Sequence, residues 1–371
     1  MSKLITIDLC GDVMLGRGID QVLPYPSNPQ LQEAYATSAR DYVALAARVN
    51  GPIPAPVELS YPWGFALKEW RHAPPSARLI NLETSITRSD TYVPKGINYR
   101  MSPENAACLV SAGIDCCALA NNHVLDWGIS GLLETLHVLR RLGVKTAGAG
   151  RNAMEASAPA IIDVAGRGRV LVFSFAHGTS GTPRSWAATA ERPGVNLLPD
   201  LSEGTAARIA EHIVSSSQEG DIVIASIHWG PNWGYEIPNE RRSFAHALIE
   251  LAGATIVHGH SSHHPLAIEI HRNRLILYGC GDFLNDYEGI SGFEEYRGDL
   301  TLMYRASIDP DEETLAGLRL VPLQIRNFRL HRASDQDTKW LRDVLARESD
   351  RFRTRITCDS DNTLMVFHDA P

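Results

Sequence analysis

Apolar runs that end abruptly in polar, metal-ligating residues recur along this chain. "LITIDLC" leads into Gly11-Asp12, "ARLI" into Asn81-Leu82-Glu83, and "IDCCALA" into Asn121-Asn122-His123. "DIVIASI" leads into His228-Trp229-Gly230, and "ATIV" into the histidines from His258 to His264. Such runs suit strands buried on both faces, as in sheets covered by helices. Stretches with helical spacing lie among them: "GISGLLETLHVLRRLG", "SEGTAARIAEHIVSSS", "NERRSFAHALIELAG" and, late in the chain, "DQDTKWLRDVLARES". A helix is also expected within "LQEAYATSARDYVALAARV", and another over "SPENAACLVSAG" with Ser102 as N-cap, Pro103 at its first position and Gly113 at its end. Alternation of this kind predicts a layered α/β sandwich. Residues from about 18 to 76 are proline-rich and poor in strand pattern, so they read as an insertion. The pattern weakens after about residue 309. The expected organisation is a main domain over 1–308 and an extension over 309–371 packed on it.

At 371 residues and 44% apolar content the chain suits a globular protein with a large core. A net charge of −8 excludes an electrostatic nucleic-acid footprint, so no nucleic-acid partner is expected. No apolar leader or membrane-length run is visible, which predicts a cytoplasmic protein without an integral membrane segment. The six cysteines lack C-x-x-C spacing and read as reduced thiols, mostly buried.

The residues at the run ends carry the chemistry. In α/β sheets, ligands gather where the carboxyl ends of strands open into loops. Asp12 and Glu83 are carboxylates at the ends of apolar strands, where an unpaired charge is costly unless a metal or partner meets it. "ALANNHVLDWG" crowds two amides, an imidazole and a carboxylate, with His123 and Asp126 close in a first helical turn. His228 sits beside Trp229 and Trp233, which could wall a pocket. "VHGHSSHHP" packs four histidines (258, 260, 263 and 264) among glycine and serines, a ligand loop whose individual ligands the sequence leaves open.

In this order, "GDVMLGR", "NLET", "ANNHVLDWG", "HWG", the histidine cluster and "YGCGDFLND" resemble the CapA/PgsA poly-γ-glutamate-synthesis family, a branch of the calcineurin-like metallophosphoesterases. The resemblance spans roughly residues 4 to 304. It implies a four-layer αββα sandwich with a metal centre of one or two divalent ions, with manganese, zinc, iron and calcium not distinguished. It further implies that Asp12, Glu83, Asn122, His228, His260 and His263 are metal ligands. His123 is then the catalytic histidine, oriented by Asp126, and Arg17, Asn81 and Trp229 are expected to contact substrate. The match breaks at Met14, where metallophosphoesterases carry the histidine of Asp-x-His, because a thioether is a poor ligand for a hard cation. The function expected is metal-assisted acid/base hydrolysis of a peptide or γ-glutamyl substrate. A metal-dependent phosphoesterase, a peptide epimerase and a non-catalytic partner of a capsule or peptide ligase system are the alternatives. The oligomeric state is not legible.

Overall fold

In the computed structural model, which describes residues 4–368, the first apolar run forms strand Ile5–Val13 near the middle of a ten-stranded sheet. Residues 1–3 and 369–371 of the two expected segments lie outside the described residues. Ile5–Val13 pairs in parallel with Ala77–Leu82 and antiparallel with Leu300–Asp309, and Cys116–Ala118 continues the parallel side. A seven-stranded sheet is built around Gly168–His177, Ile222–His228 and Ile256–His260, all parallel.

Period-two alternation decides how the sheets meet. Ile5, Ile7, Leu9 and Leu79 from the first sheet share one core with Val170, Val172, Ile222, Ile224 and Ile256 from the second. The opposite faces bury a different set. Ile80 and Leu82 lie with helices Ala39–Asn50, Gly64–His72 and Gly128–Arg141, while Val223, Ala225 and Ile227 lie with Glu203–Ser216 and Asn239–Ala252. Three separate cores therefore stack into four layers, αββα, the layer order that the resemblance implied.

The segment from 18 to 76 contributes helices to the outer face of the first sheet. Beyond residue 309, Thr314–Arg326, Thr354–Cys358 and Leu364–His368 extend that same sheet, and Leu341 and Leu345 of helix Asp335–Ser349 enter the inter-sheet core. Two helices are shorter than their patterns suggested. The first begins at Ala39, because Ser38 and Asp41 form a reciprocal capping box there. The second covers only Ala107–Ser111: the Ser102 hydroxyl does accept from the Asn105 amide at 3.3 Å, as an N-cap would, but residues 103–106 form turns rather than helix. All six cysteines are free; Cys358 is exposed and the others are buried.

Candidate metal centre

The alternation that fills the inter-sheet core with aliphatic side chains turns polar at the carboxyl ends of the strands. Asn81 and Glu83 follow Leu79 at steps of two, Ser226 and His228 follow Ile224, and His258 and His260 follow Ile256. Each pair thus faces the opposite sheet. Asp12 reaches the same space by another device. Leu9 faces the inter-sheet core and both Cys10 and Val13 face the helices, so the alternation breaks between them, where the register with Ala77–Leu82 shifts. The bulge re-aims Asp12 toward the second sheet. Gly11 is required there, since a Cβ at that position would lie 1.8 Å from the Gly281 carbonyl oxygen.

Two sets of side chains converge on Asp12. In the first, Oδ1 of Asp12 lies 3.7 Å from Nδ1 of His260 and 4.0 Å from Nδ1 of His228. Those two imidazole nitrogens are 2.8 Å apart. Nε2 of His228 is 3.1 Å from Oδ1 of Asn122 and 3.7 Å from Oε1 of Glu83. In the second, one donor atom each from Asp12, His263 and Asp282 lies within 4.8 Å of the others, and Nδ1 of His263 is 2.7 Å from Oδ1 of Asp282. Beside them, Nε2 of His123 is 3.7 Å from Oε1 of Glu83, and its Nδ1 is 2.7 Å from Oδ2 of Asp126.

The surroundings hold these groups in place. Asn81 donates to Asp12 at 2.7 Å, and the backbone N–H of Ser261 donates to the other oxygen at 3.0 Å. The Ser226 hydroxyl bridges Nε2 of His260 and Nδ1 of His258, whose far nitrogen reaches the Cys10 carbonyl. His258 thus orients His260 from behind. His264 stacks on Trp233 and Tyr296 away from the cluster.

Burial sets the electrostatics. Asp12, Glu83 and Asp282 are buried side by side. Burial and then the Asp282 charge push the Asp12 carboxyl up, and burial and then Asp12 do the same to Glu83. Among the described residues, Oε2 of Glu83 has no hydrogen-bond partner. His228 and His260 are held neutral by burial and by neighbouring histidines, which leaves ring lone pairs available. Burial lowers His123 to about 4 despite Asp126. In His263 burial is outweighed by Asp282, and the shift is upward. Carboxylates that repel one another, an orphaned oxygen and neutral imidazoles form a donor set that suits a divalent cation.

Three sequence expectations look different in place. Arg17 lies buried between the Tyr42 and Tyr99 rings, bonded to Asp286 and Glu33, so its guanidinium is occupied inside the fold rather than offered to a substrate. Trp229 is 1% exposed and joins the core under the outer helices, because it follows His228 and so faces the other way; Trp233 takes the rim instead, 5.4 Å from the His263 ring. Asn81 is fully buried between Asp12 and Asn121 and acts as a positioning group. Two members of the cluster were not singled out from sequence. Asp282 had a signal, since Cys280-Gly281-Asp282 repeats Cys10-Gly11-Asp12 and the two aspartates pair in parallel register. Lys95 had none; it reaches in from a loop to Asp126 at 2.8 Å and to the Asn122 carbonyl. A cleft of about 360 Å³, lined in part by Trp233, Asn285, Tyr287 and Phe293, opens beside Asp282 and His263.

Comparison with known proteins places this architecture in context. A probable polyglutamine synthesis accessory protein of Mycobacterium tuberculosis is 46% identical over 365 residues, covering 98% of this chain and 96% of that protein. The capsule biosynthesis protein CapA of Bacillus anthracis is 23% identical over 286 residues, 77% of this chain and 61% of that one. A crystal structure described as a novel phosphatase of Mycoplasma pneumoniae aligns over 87% of this chain and 95% of its own, with 10% identity and a TM-score of 0.48. The family described as bacterial capsule synthesis protein PGA_cap matches residues 6–287, and the chain belongs to that family.

Proposed function

We propose that this protein is a metal-dependent hydrolase acting on a peptide or γ-glutamyl substrate of the poly-γ-glutamate type. The observation that carries the reading is the convergence of Asp12, Glu83, Asn122, His228 and His260 beside a His123–Asp126 pair. Asp12, His228 and His260 would hold one divalent ion, with Asn122 and Glu83 against the far nitrogen of His228 and so directing its Nδ1 toward that ion, and Asp12, His263 and Asp282 would hold a second, replacing the ligand that Met14 does not provide. When bound, a divalent ion at this place supplies Lewis-acid polarisation of a carbonyl or phosphoryl oxygen.

The remaining work falls to the chain's own groups. His123 is neutral near pH 7, so Nε2 can take a proton on the side facing Glu83. Asp126, bonded to Nδ1, keeps the N–H on that nitrogen and favours the imidazolium that forms. Lys95 pairs with Asp126 and limits how far that carboxylate raises the basicity of His123. The cleft beside Asp282 receives the substrate chain, with Trp233 and Tyr287 as its aromatic wall. No helix among the described residues is long and apolar enough to cross a membrane. A cytoplasmic location is part of the proposal.

The name of the Mycobacterium relative, an accessory protein, favours a second reading in which the site binds a partner's product without turning it over. The two are separated by metal analysis of protein purified without chelator, followed by assays on phosphoesters, γ-glutamyl peptides and plain peptides. Metal-dependent turnover of γ-glutamyl or plain peptides, lost in His123→Ala, supports the hydrolase. Turnover confined to phosphoesters would replace the substrate class. No turnover on any of them, with partner binding intact in His123→Ala, would favour the accessory role.

A further inference from the structure

A second cluster of metal-ligating side chains lies at the edge of the seven-stranded sheet. Helix Asn239–Ala252 carries His246 and Glu250 four residues apart, hence on one face. Edge strand Ile268–His271 carries Glu269 and His271 two residues apart, also on one face. The two faces meet. Nε2 of His246 lies 3.0 Å from Oε1 of Glu269, and Nε2 of His271 lies 2.8 Å from Oε1 of Glu250. One donor atom each from His246, Glu269 and His271 falls within 4.8 Å of the others.

We propose that His246, Glu269 and His271, with Glu250 beside them, form a separate divalent-cation site, of the zinc class, that clamps this helix to the edge strand. Imidazole and carboxylate donors in this mixture suit zinc. Glu269 is fixed as a ligating carboxylate should be, since the Tyr278 hydroxyl donates to Oε2 at 2.6 Å and Arg242 donates to Oε1 at 3.0 Å. The two imidazoles stack face to face, centroids 3.8 Å apart. Binding therefore turns one ring edge-on to the ion. The side chains of His246 and His271 are 22% and 21% exposed, so that rotation is open to them. Arg272 also donates to Glu250 at 3.1 Å, and zinc must displace or share that contact.

The test uses the full chain freed of metal by chelation and then dialysed against buffered micromolar zinc, with bound zinc counted per chain. The His246→Gln/His271→Gln double variant is expected to bind one zinc fewer than wild type. A variant altered only in the first cluster, Asp12→Asn/His260→Asn, is expected to keep that zinc. Should the double variant fail to fold by circular dichroism, His271→Gln alone decides, with an expected loss of at least about tenfold in zinc affinity at this site. Equal zinc counts in wild type and the folded double variant, or unchanged affinity in His271→Gln, would overturn the proposal.

Discussion

Replacing Asp12 by asparagine separates a metal ligand from a structural residue. Its carboxylate lies within 4.8 Å of Asp282 oxygen, so mutual repulsion is about 3 kcal/mol at an effective dielectric near 20, and Glu83 adds to it. An amide removes that repulsion but can accept only one of the two hydrogen bonds from Asn81 and the Ser261 N–H, a mismatch costing about 1–3 kcal/mol. The terms nearly cancel. In chelator near pH 8, Asp12→Asn should therefore be as stable as wild type or up to about 2 kcal/mol more stable. With metal at a hundred times its Kd, wild type should gain about 2.7 kcal/mol and the variant almost nothing. Urea denaturation of both proteins with chelator and with manganese or zinc reads this directly, as an inverted order of midpoints. A variant at least ~2 kcal/mol weaker in chelator, with the same metal shift as wild type, would refute the reasoning.

His123→Ala should keep its bound metal and lose about 10²–10⁴-fold in turnover, whereas Asn122→Ala should lose both metal and activity, as metal analysis beside the peptide assay will register. Arg17→Met strands Asp286 and Glu33 inside the protein and should cost about 3–5 kcal/mol in urea denaturation; unchanged stability would return Arg17 to a substrate role. Burial pushes the Glu269 carboxyl up, but hydrogen bonds from His246, Tyr278 and Arg242 outweigh it and bring it down to about 2. Because the folded value lies below the unfolded one, this group's stabilisation is present above about pH 4.5 and is lost as pH falls toward 2, about 2 kcal/mol after solvent screening. Glu269→Gln should flatten that acid limb in midpoints measured from pH 5 downward.

Much of the site was legible because it follows strand periodicity. Once Leu79, Ile224 and Ile256 are recognised as inward-facing, Glu83, His228 and His260 must face the same way. The same rule would have excluded Trp229, which is adjacent to His228. Asp282 is not legible in the pattern because it opens a three-residue strand, too short to show a period, and only its register with Asp12 brings it in. The burial of Arg17 is illegible for a different reason. Its partner Asp286 is 269 residues away in sequence, and nothing near Arg17 signals that the two meet. A layered α/β sandwich was readable from the apolar runs and its four-layer order only from the resemblance, yet the outer helix starting at Ala39 began later than its spacing implied because a local capping box overrode the hydrophobic pattern.

The central claim is a divalent ion held at Asp12. Anomalous diffraction at a metal absorption edge, from crystals of protein purified without chelator and soaked in manganese or zinc, tests it most directly. A peak is expected within about 2.0–2.3 Å of side-chain donors of Asp12, His228 and His260. Diffraction with no anomalous peak between the sheets, or a peak only on residues remote from Asp12, would contradict it.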